Sequence, residues 1–330
     1  MDSHFNDDYL ICDADYAAVI NQEVIPALQQ IRKDQIIHSP KDQMPLSCSV
    51  FPAQNPLGTV LVLHGFTENT YKYSELIWSL VKNGFSVIAY DQRGHGCSGR
   101  SAGLSHPSVT HVDLFEDYVD DLELVCSSFL SDCPKPWMIF AHSMGGAVAS
   151  LFLEKHPEVF SAACLCAPMI APRTGGLPSF AVSVICKAAC LIGHGKHIPF
   201  IMKPYSGPES FETSCATDPA RFFWYDGVKA AHREYWNSVP TYRWTLESVR
   251  VTKKILAPGA PESIICPVLL STAGHDFSVM PEPQKQFISR IPNGHHLVIG
   301  EARHEIFRSV NDVFFPWWHK NLLFLKEGKI

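Results

Sequence analysis

Short β-branched apolar runs alternate with helix-spaced segments at both ends of this 330-residue chain, and the alternation stops between residues 168 and 254. Gly58–Leu63 (GTVLVL), Phe85–Tyr90 (FSVIAY), 137–141 and 161–167 read as buried parallel strands, apolar on both faces. Segments 71–83, 109–129 and Met144–Lys155 carry helical spacing, and Gly84 is a stop signal after the first. The pattern resumes with a strand at 267–273, a helix at 281–290, a strand at 295–299 and a helix at 305–321. Strands alternating with helices predict an α/β fold with a mostly parallel central sheet and helices on both faces. The acidic face of the 109–129 helix (Glu116, Asp117, Asp120, Asp121 and Glu123) is expected to be solvated.

The interrupting segment is rich in Pro, Gly and aromatic residues, and its charge is opposite to that of the rest. Residues 168–254 hold 11 Lys/Arg and 6 Asp/Glu, whereas the remainder holds 16 and 27. This predicts two parts of one core, 1–167 and 255–330, around a cap or lid insertion at 168–254. A set of ordinary connecting helices is the alternative. The chain as a whole carries a net charge of −6, which argues against a nucleic-acid partner held by bulk positive charge. Eleven cysteines without paired spacing read as reduced thiols, so a cytoplasmic setting is expected. The first eight residues are acidic and show no secretory signal. The most apolar window, 177–202, is broken by Lys187, His194, Lys196, His197 and Pro199 and should not span a membrane, although it could lie on one. No feature fixes an oligomeric state.

The motif with the clearest chemistry is AHSMGG, residues 141–146, between a predicted strand and a predicted helix. A serine at such a turn projects its hydroxyl away from the sheet, and the small residues Ala141 and Gly145 let strand and helix approach. The helix N-terminus directs free N–H groups toward that serine, suited to a developing oxyanion. Ser143 is therefore the candidate nucleophile. In this architecture the acid and the base follow in that order along the chain. Asp276, in AGHDFSV after the 267–273 strand, is the candidate acid, and His304, in ARHEIF after the last strand, is the candidate base. HGFTEN (64–69) follows the first core strand, where Gly65 permits a close backbone turn. The backbone N–H groups of Phe66 and Met144 are the expected oxyanion hole. His64 and Glu68 are expected to brace that loop, and His95, His142 and His275 to be structural. Metal and cofactor sites are not expected. Cys164 and Cys166 sit in a predicted core strand, Cys186 and Cys190 lack further ligands at zinc spacing, and no phosphate-binding glycine motif occurs.

HGFTEN, YDQRGHGCSG (90–99), AHSMGGAVASLFLEKHPE, AGHDFSV and ARHEIFR together resemble the serine hydrolases of the α/β-hydrolase superfamily. The likeness is strongest to the branch of lysophospholipases and monoacylglycerol lipases, bacterial inner-membrane lysophospholipases among them. YKYSEL (71–76), DYVDDL (117–122), LCAPM (165–169) and PTYRWTLES (240–248) extend it over residues 50 to 310, whereas the first fifty residues match poorly. The resemblance implies an α/β-hydrolase fold with an inserted helical cap. It also implies an enzyme that cleaves carboxylic esters of lipids through an acyl-serine, with lysophospholipid as substrate. The alternatives it leaves are a monoacylglycerol lipase, a general carboxylesterase, and an aminopeptidase of the proline iminopeptidase kind, whose substrate amine Glu209, Glu212 or Glu234 could hold. A non-catalytic interaction protein on the same fold would be expected to have lost part of the Ser143, Asp276 and His304 set. The basic cap suggests peripheral contact with the inner face of a membrane.

Overall fold

A computed structural model describes residues 9–328. The first strands are β1 (Lys33–His38), β2 (Pro45–Phe51), β3 (Gly58–Leu63) and β4 (Phe85–Tyr90); β5 (Val109–Thr110) is a two-residue strand apart from them. β6 (Trp137–His142), β7 (Ala162–Cys166), β9 (Val268–Ala273) and β10 (Gly294–Ile299) follow, with the short β8 (Val239–Pro240) between β7 and β9. The main sheet runs β1-β2-β4-β3-β6-β7-β9-β10, and β1 and β2 join it antiparallel while every later pairing is parallel.

β3 shows why this sheet is buried on both sides. Leu61 and Leu63 point into one core, with Ile88, Ile139 and Ala141 from neighbouring strands. Val60 and Val62 point into a second core, with Val87, Met138 and Phe140. The first core is closed by α4 (Glu116–Phe129), α5 (Met144–Lys155) and α8 (Tyr242–Ile255). The second is closed by α3 (Ser74–Lys82), α10 (Asn311–Glu327) and the segment α1 (Tyr16–Val19) to α2 (Ile25–Ile31). Trp317 and Trp318 of α10 are fully buried and donate their indole N–H to Ser271 and Ser79. The remaining helices are α6 (Ser179–Leu191), α7 (Pro219–Ala231) and α9 (Pro281–Ile288).

Between β7 and β9 the chain adds no strand to the main sheet. It supplies α6, α7 and α8 instead, and β8 pairs in parallel with β5. That pairing explains a departure from the sequence expectation. Residues 109–110, read as the start of a helix, are a strand because their partner lies 130 residues away, and α4 begins only at Glu116. The acidic face of α4 is also divided. Asp120 is exposed, but Asp117 and Asp121 are buried. Arg93 donates to both carboxylate oxygens of Asp121, at 2.6 and 2.7 Å, and Lys41 reaches Asp117. The expectation of a solvated face fails at these two positions because their cations come from other parts of the chain. Burial pushes the Asp121 carboxyl up to about 6 despite the guanidinium beside it. No described helix is long and apolar enough to cross a membrane.

Arg221 of α7 fastens the N-terminal segment. Its side chain is fully buried and donates to Glu75 at 2.8 and 2.9 Å, to Asp218 at 2.7 Å, to Asp13 at 2.6 Å and to the Ile11 carbonyl at 2.9 Å. The rings of Tyr16 and Phe314 flank the guanidinium. Removing one member of a buried ion-pair cluster strands the others in a low-dielectric site. Arg221→Met should therefore lower unfolding free energy by about 3–5 kcal/mol in chemical denaturation. A loss within about 0.5 kcal/mol, the scale of an ordinary surface substitution, would show that the cluster holds nothing.

Candidate active site

Four loops meet at the C-terminal edge of the parallel strands, the edge where sites form in open α/β sheets. They follow β3, β6, β9 and β10. Ser143 occupies the one-residue turn between β6 and α5 with φ 50° and ψ −117°, a strained conformation for a residue with a side chain. Three backbone bonds hold it there: its N–H donates to the Cys166 carbonyl at 3.1 Å, and its carbonyl accepts from Met169 at 2.8 Å and from Ala147 at 3.2 Å. The turn is possible because glycines follow Met144 in the first turn of α5. A Cβ on Gly145 would lie 2.5 Å from the His64 carbonyl oxygen and 2.6 Å from that of Leu63, and one on Gly146 would lie 2.5 Å from Pro168.

The three side chains expected to act together are in contact. The Ser143 hydroxyl donates to His304 Nε2 at 2.8 Å, and His304 Nδ1–H donates to Asp276 Oδ2 at 2.7 Å. The other carboxylate oxygen of Asp276 accepts from the N–H groups of Ser278 and Val279 at 2.8 and 3.0 Å. Burial by itself would raise the Asp276 carboxyl. The hydrogen bond and charge of His304, with the two backbone donors, outweigh it and hold the group below its ordinary value of 3.8. All three residues are buried, and Ser143 opens into a cavity of ≈ 620 Å³.

The loop after β3 is arranged by its own side chains. His64 Nδ1–H donates to the Gly65 carbonyl at 2.8 Å, and its Nε2 accepts from the Gln92 N–H at 2.9 Å. The peptide linking Gly65 to Phe66 is planar and trans, so the Phe66 N–H points away from that carbonyl. Phe66 and Ser143 line the same cavity. Met144 is the first residue of α5, so its N–H belongs to the uncommitted donors of a helix start. Gly65 serves through its missing side chain rather than through a turn. A Cβ there would lie 2.8 Å from the Glu68 carboxylate, 2.9 Å from the His142 ring and 3.0 Å from Ser143 Cβ, and the left-handed residue of the loop is Thr67.

Beneath this surface lies a charged network that residue spacing barely signals. Glu68 accepts from Gly65 N–H (2.6 Å), Lys72 Nζ (2.9 Å), Tyr73 OH (2.6 Å) and His142 Nδ1 (2.9 Å). His142 Nε2 faces the His304 carbonyl at 3.2 Å, and Lys72 also reaches Glu305 at 2.6 Å. Both ring nitrogens of His142 thus face acceptors, the pattern of an imidazolium. Burial opposes that charge, but Glu68 raises the His142 pKa above 6.5 and is itself held well below 4.5, against its own burial, by His142 and Lys72. Burial would likewise raise Glu305, yet Lys72 and Arg308 lower it to about 2. The only local hint in the sequence is the Glu68–Lys72 spacing of four.

Known proteins resemble this chain in sequence and in fold. The family described as "Serine aminopeptidase, S33" matches residues 54–311. The chain belongs to that hydrolase family. It is 31% identical over 297 residues to "Lysophospholipase L2" of Escherichia coli (strain K12), covering 83% of this chain and 82% of that protein. Among solved structures, a soluble variant of monoglyceride lipase from Saccharomyces cerevisiae superposes with TM-score 0.68 at 21% identity, covering 91% of this chain and 96% of that one. A carboxyl esterase from Bacillus coagulans gives TM-score 0.69 at 19% identity, with 89% and 97% covered. These neighbours share the α/β-hydrolase fold. As a member of the S33 hydrolases the chain is a serine hydrolase of the esterase and lipase class.

A group whose folded pKa is raised stabilises the fold below its unfolded value and loses that contribution as pH rises through the folded value. The His142 contribution is therefore complete below 6.5 and fades on the alkaline side. His142→Gln should cost about 1.5–3 kcal/mol near pH 6, the range for a hydrogen-bonded charge. The gap in melting temperature between wild type and variant should narrow as pH rises. A gap unchanged from acid to alkaline pH would mean that His142 is neutral.

Proposed function

We propose that the protein is a lipid esterase in which Ser143, His304 and Asp276 form a catalytic triad and lysophospholipid is the substrate. Ser143 Oγ attacks the acyl carbonyl while His304 Nε2 takes its proton, and Asp276 orients the imidazole and stabilises its cation. The N–H groups of Phe66 and Met144 receive the tetrahedral oxyanion. The leaving alcohol takes the proton from His304, and water activated by the same imidazole releases the fatty acid.

The observation that carries this reading is the wall of the Ser143 cavity. It is largely apolar, with Met169, Leu177, Val182, Ile185 and Trp244 among its residues, and it contains no carboxylate. Each buried methylene contributes about 0.8 kcal/mol, so such a wall suits an acyl chain. An aminopeptidase would need an anion or carbonyl cage for the substrate's free amine. The three candidates stand elsewhere: Glu209 pairs with Lys229, Glu212 accepts from Ser210, and Glu234 lies beside His232. Monoacylglycerol, which shares the acyl chain, is the second substrate this wall favours.

The same wall supports the assignment of residues 168–254 as a cap, because most of it comes from that segment. Part of the cap is unusually apolar outside. Phe180, Val184, Leu191, Ile192, Phe200 and Ile201 are all more than 60% exposed. Lys187, Lys196 and Lys203 stand among them, and Phe200 and Ile201 rim the Ser143 cavity. Exposed apolar side chains interleaved with cations suit an anionic lipid surface, so the cap is the proposed contact with a membrane. All eleven cysteines are free, which supports a reducing compartment and hence its cytoplasmic face.

Ser143→Ala should lower kcat for a lysophospholipid by about 10⁵–10⁶-fold with the melting transition intact, and should abolish labelling by a fluorophosphonate probe. Wild-type turnover in that variant would overturn the assignment. Leu191→Ser with Ile192→Ser, exposed and outside the Ser143 cavity, should reduce co-sedimentation with anionic vesicles while hydrolysis of a monomeric aryl ester persists. Unchanged sedimentation would remove these residues from the proposed contact.

A further inference from the structure

The gap between α6 and α8 forms a second cleft of ≈ 990 Å³ beside the Ser143 cavity. The two share a wall made of residues 172–175, Leu177 and Val249, so they are adjoining chambers of one groove. Their chemistry differs. The Ser143 chamber is bordered mainly by apolar side chains, with Lys203 at its edge, whereas the second sets Arg173, Lys187, Arg250 and Lys253 among apolar residues such as Phe180, Val184 and Leu246, and no carboxylate borders it. Arg173 borders both.

The partners of these cations show how much charge is left for a ligand. Arg250 donates to Glu247, a buried carboxylate of its own helix, at 2.8 Å. Arg173 directs Nε to the Val279 carbonyl at 3.1 Å, which leaves its guanidinium charge uncompensated. Lys187 and Lys253 form no ion pair among the described residues, and both are exposed. Lys254, one position further along α8, is committed to Glu116. A pair of unpaired ammonium groups across a helix–helix gap, with a guanidinium at its inner wall, is a site for a multiply oxygenated anion.

A lysophospholipid places such an anion one glycerol away from the ester that Ser143 would attack. We propose that the cleft between α6 and α8 is a phosphate subsite that holds the headgroup while the acyl chain fills the Ser143 chamber. The proposal rests on the lysophospholipid reading above and names the part of the protein that would separate that substrate from monoacylglycerol. Lys187 and Lys253 supply long-range attraction as point charges, and Arg173, at the wall the two chambers share, supplies a contact between them. The attraction is exposed and therefore screened by salt.

The test compares a short-chain 1-acyl lysophosphatidylglycerol with the monoacylglycerol of the same acyl chain, both monomeric in solution. The enzymes are wild type and the double variant Lys187→Gln with Lys253→Gln, whose exposed positions leave the fold intact. The expected result is a drop in kcat/KM of about tenfold on the phospholipid and less than about twofold on the monoacylglycerol, with a shallower salt dependence on the former. Inorganic phosphate should raise KM for the phospholipid in wild type and lose that effect in the variant. Equal losses on both substrates, or no loss on either, would overturn the subsite. So would a variant that releases anionic vesicles yet keeps the wild-type ratio of the two monomeric substrates, because the cations would then serve the bilayer. A wild-type enzyme that cleaves monoacylglycerol but no lysophospholipid would defeat the substrate reading itself, and the subsite with it.

Discussion

One buried carboxylate organises the reactive end of this molecule. Glu68 gathers donors from its own loop, from the turn that leads into α3 and from the residue before Ser143. Through His142 and Lys72 it also reaches the backbone of His304 and the side chain of Glu305. Ionised groups out of water are tolerated only when each is matched, so these contacts stand or fall together. The loop that presents Phe66 and the loop that presents His304 are thereby referred to a common anchor. The strands fix where the loops begin, and this network fixes how their tips meet.

What the sequence disclosed follows the range of the forces involved. β3, β4 and α5 are legible to the residue because each is a continuous apolar run or a small-residue helix bounded by its own turn signals. Ser143, Asp276 and His304 are legible because each follows a parallel strand at the same edge of the sheet, even though 161 residues separate the first from the last. The failures have a different origin. β5 takes its conformation from β8, and Asp117 and Asp121 take their burial from Lys41 and Arg93. The partners of Glu68 extend to residue 142, and Lys72, which it binds, extends to residue 305. Periodicity carries no trace of such pairings. The first fifty residues belong with these cases, since Arg221 holds part of them in place from the far side of the chain.

The charge contrast between residues 168–254 and the remainder also changes meaning in three dimensions. Arg221, counted among the cations of the segment, is consumed internally, and two of its partners, Asp13 and Glu75, come from outside. Lys229 is paired as well. What faces solvent near Ser143 is a smaller set of cations set among bare apolar side chains. A lipid, with a charged end and a greasy end, is the kind of molecule to which both halves of that surface are complementary.

The backbone at Ser143 has a consequence of its own. A serine forced to φ 50° and ψ −117° holds a conformation that costs on the order of 1–3 kcal/mol, sustained by Cys166, Met169 and the close approach of Gly145 to β3. Glycine at the same position would relieve that tension while erasing the hydroxyl. Random drift away from reactivity thus runs downhill in folding energy, and only selection for turnover keeps the chain from settling into a sturdier, inert relative of itself.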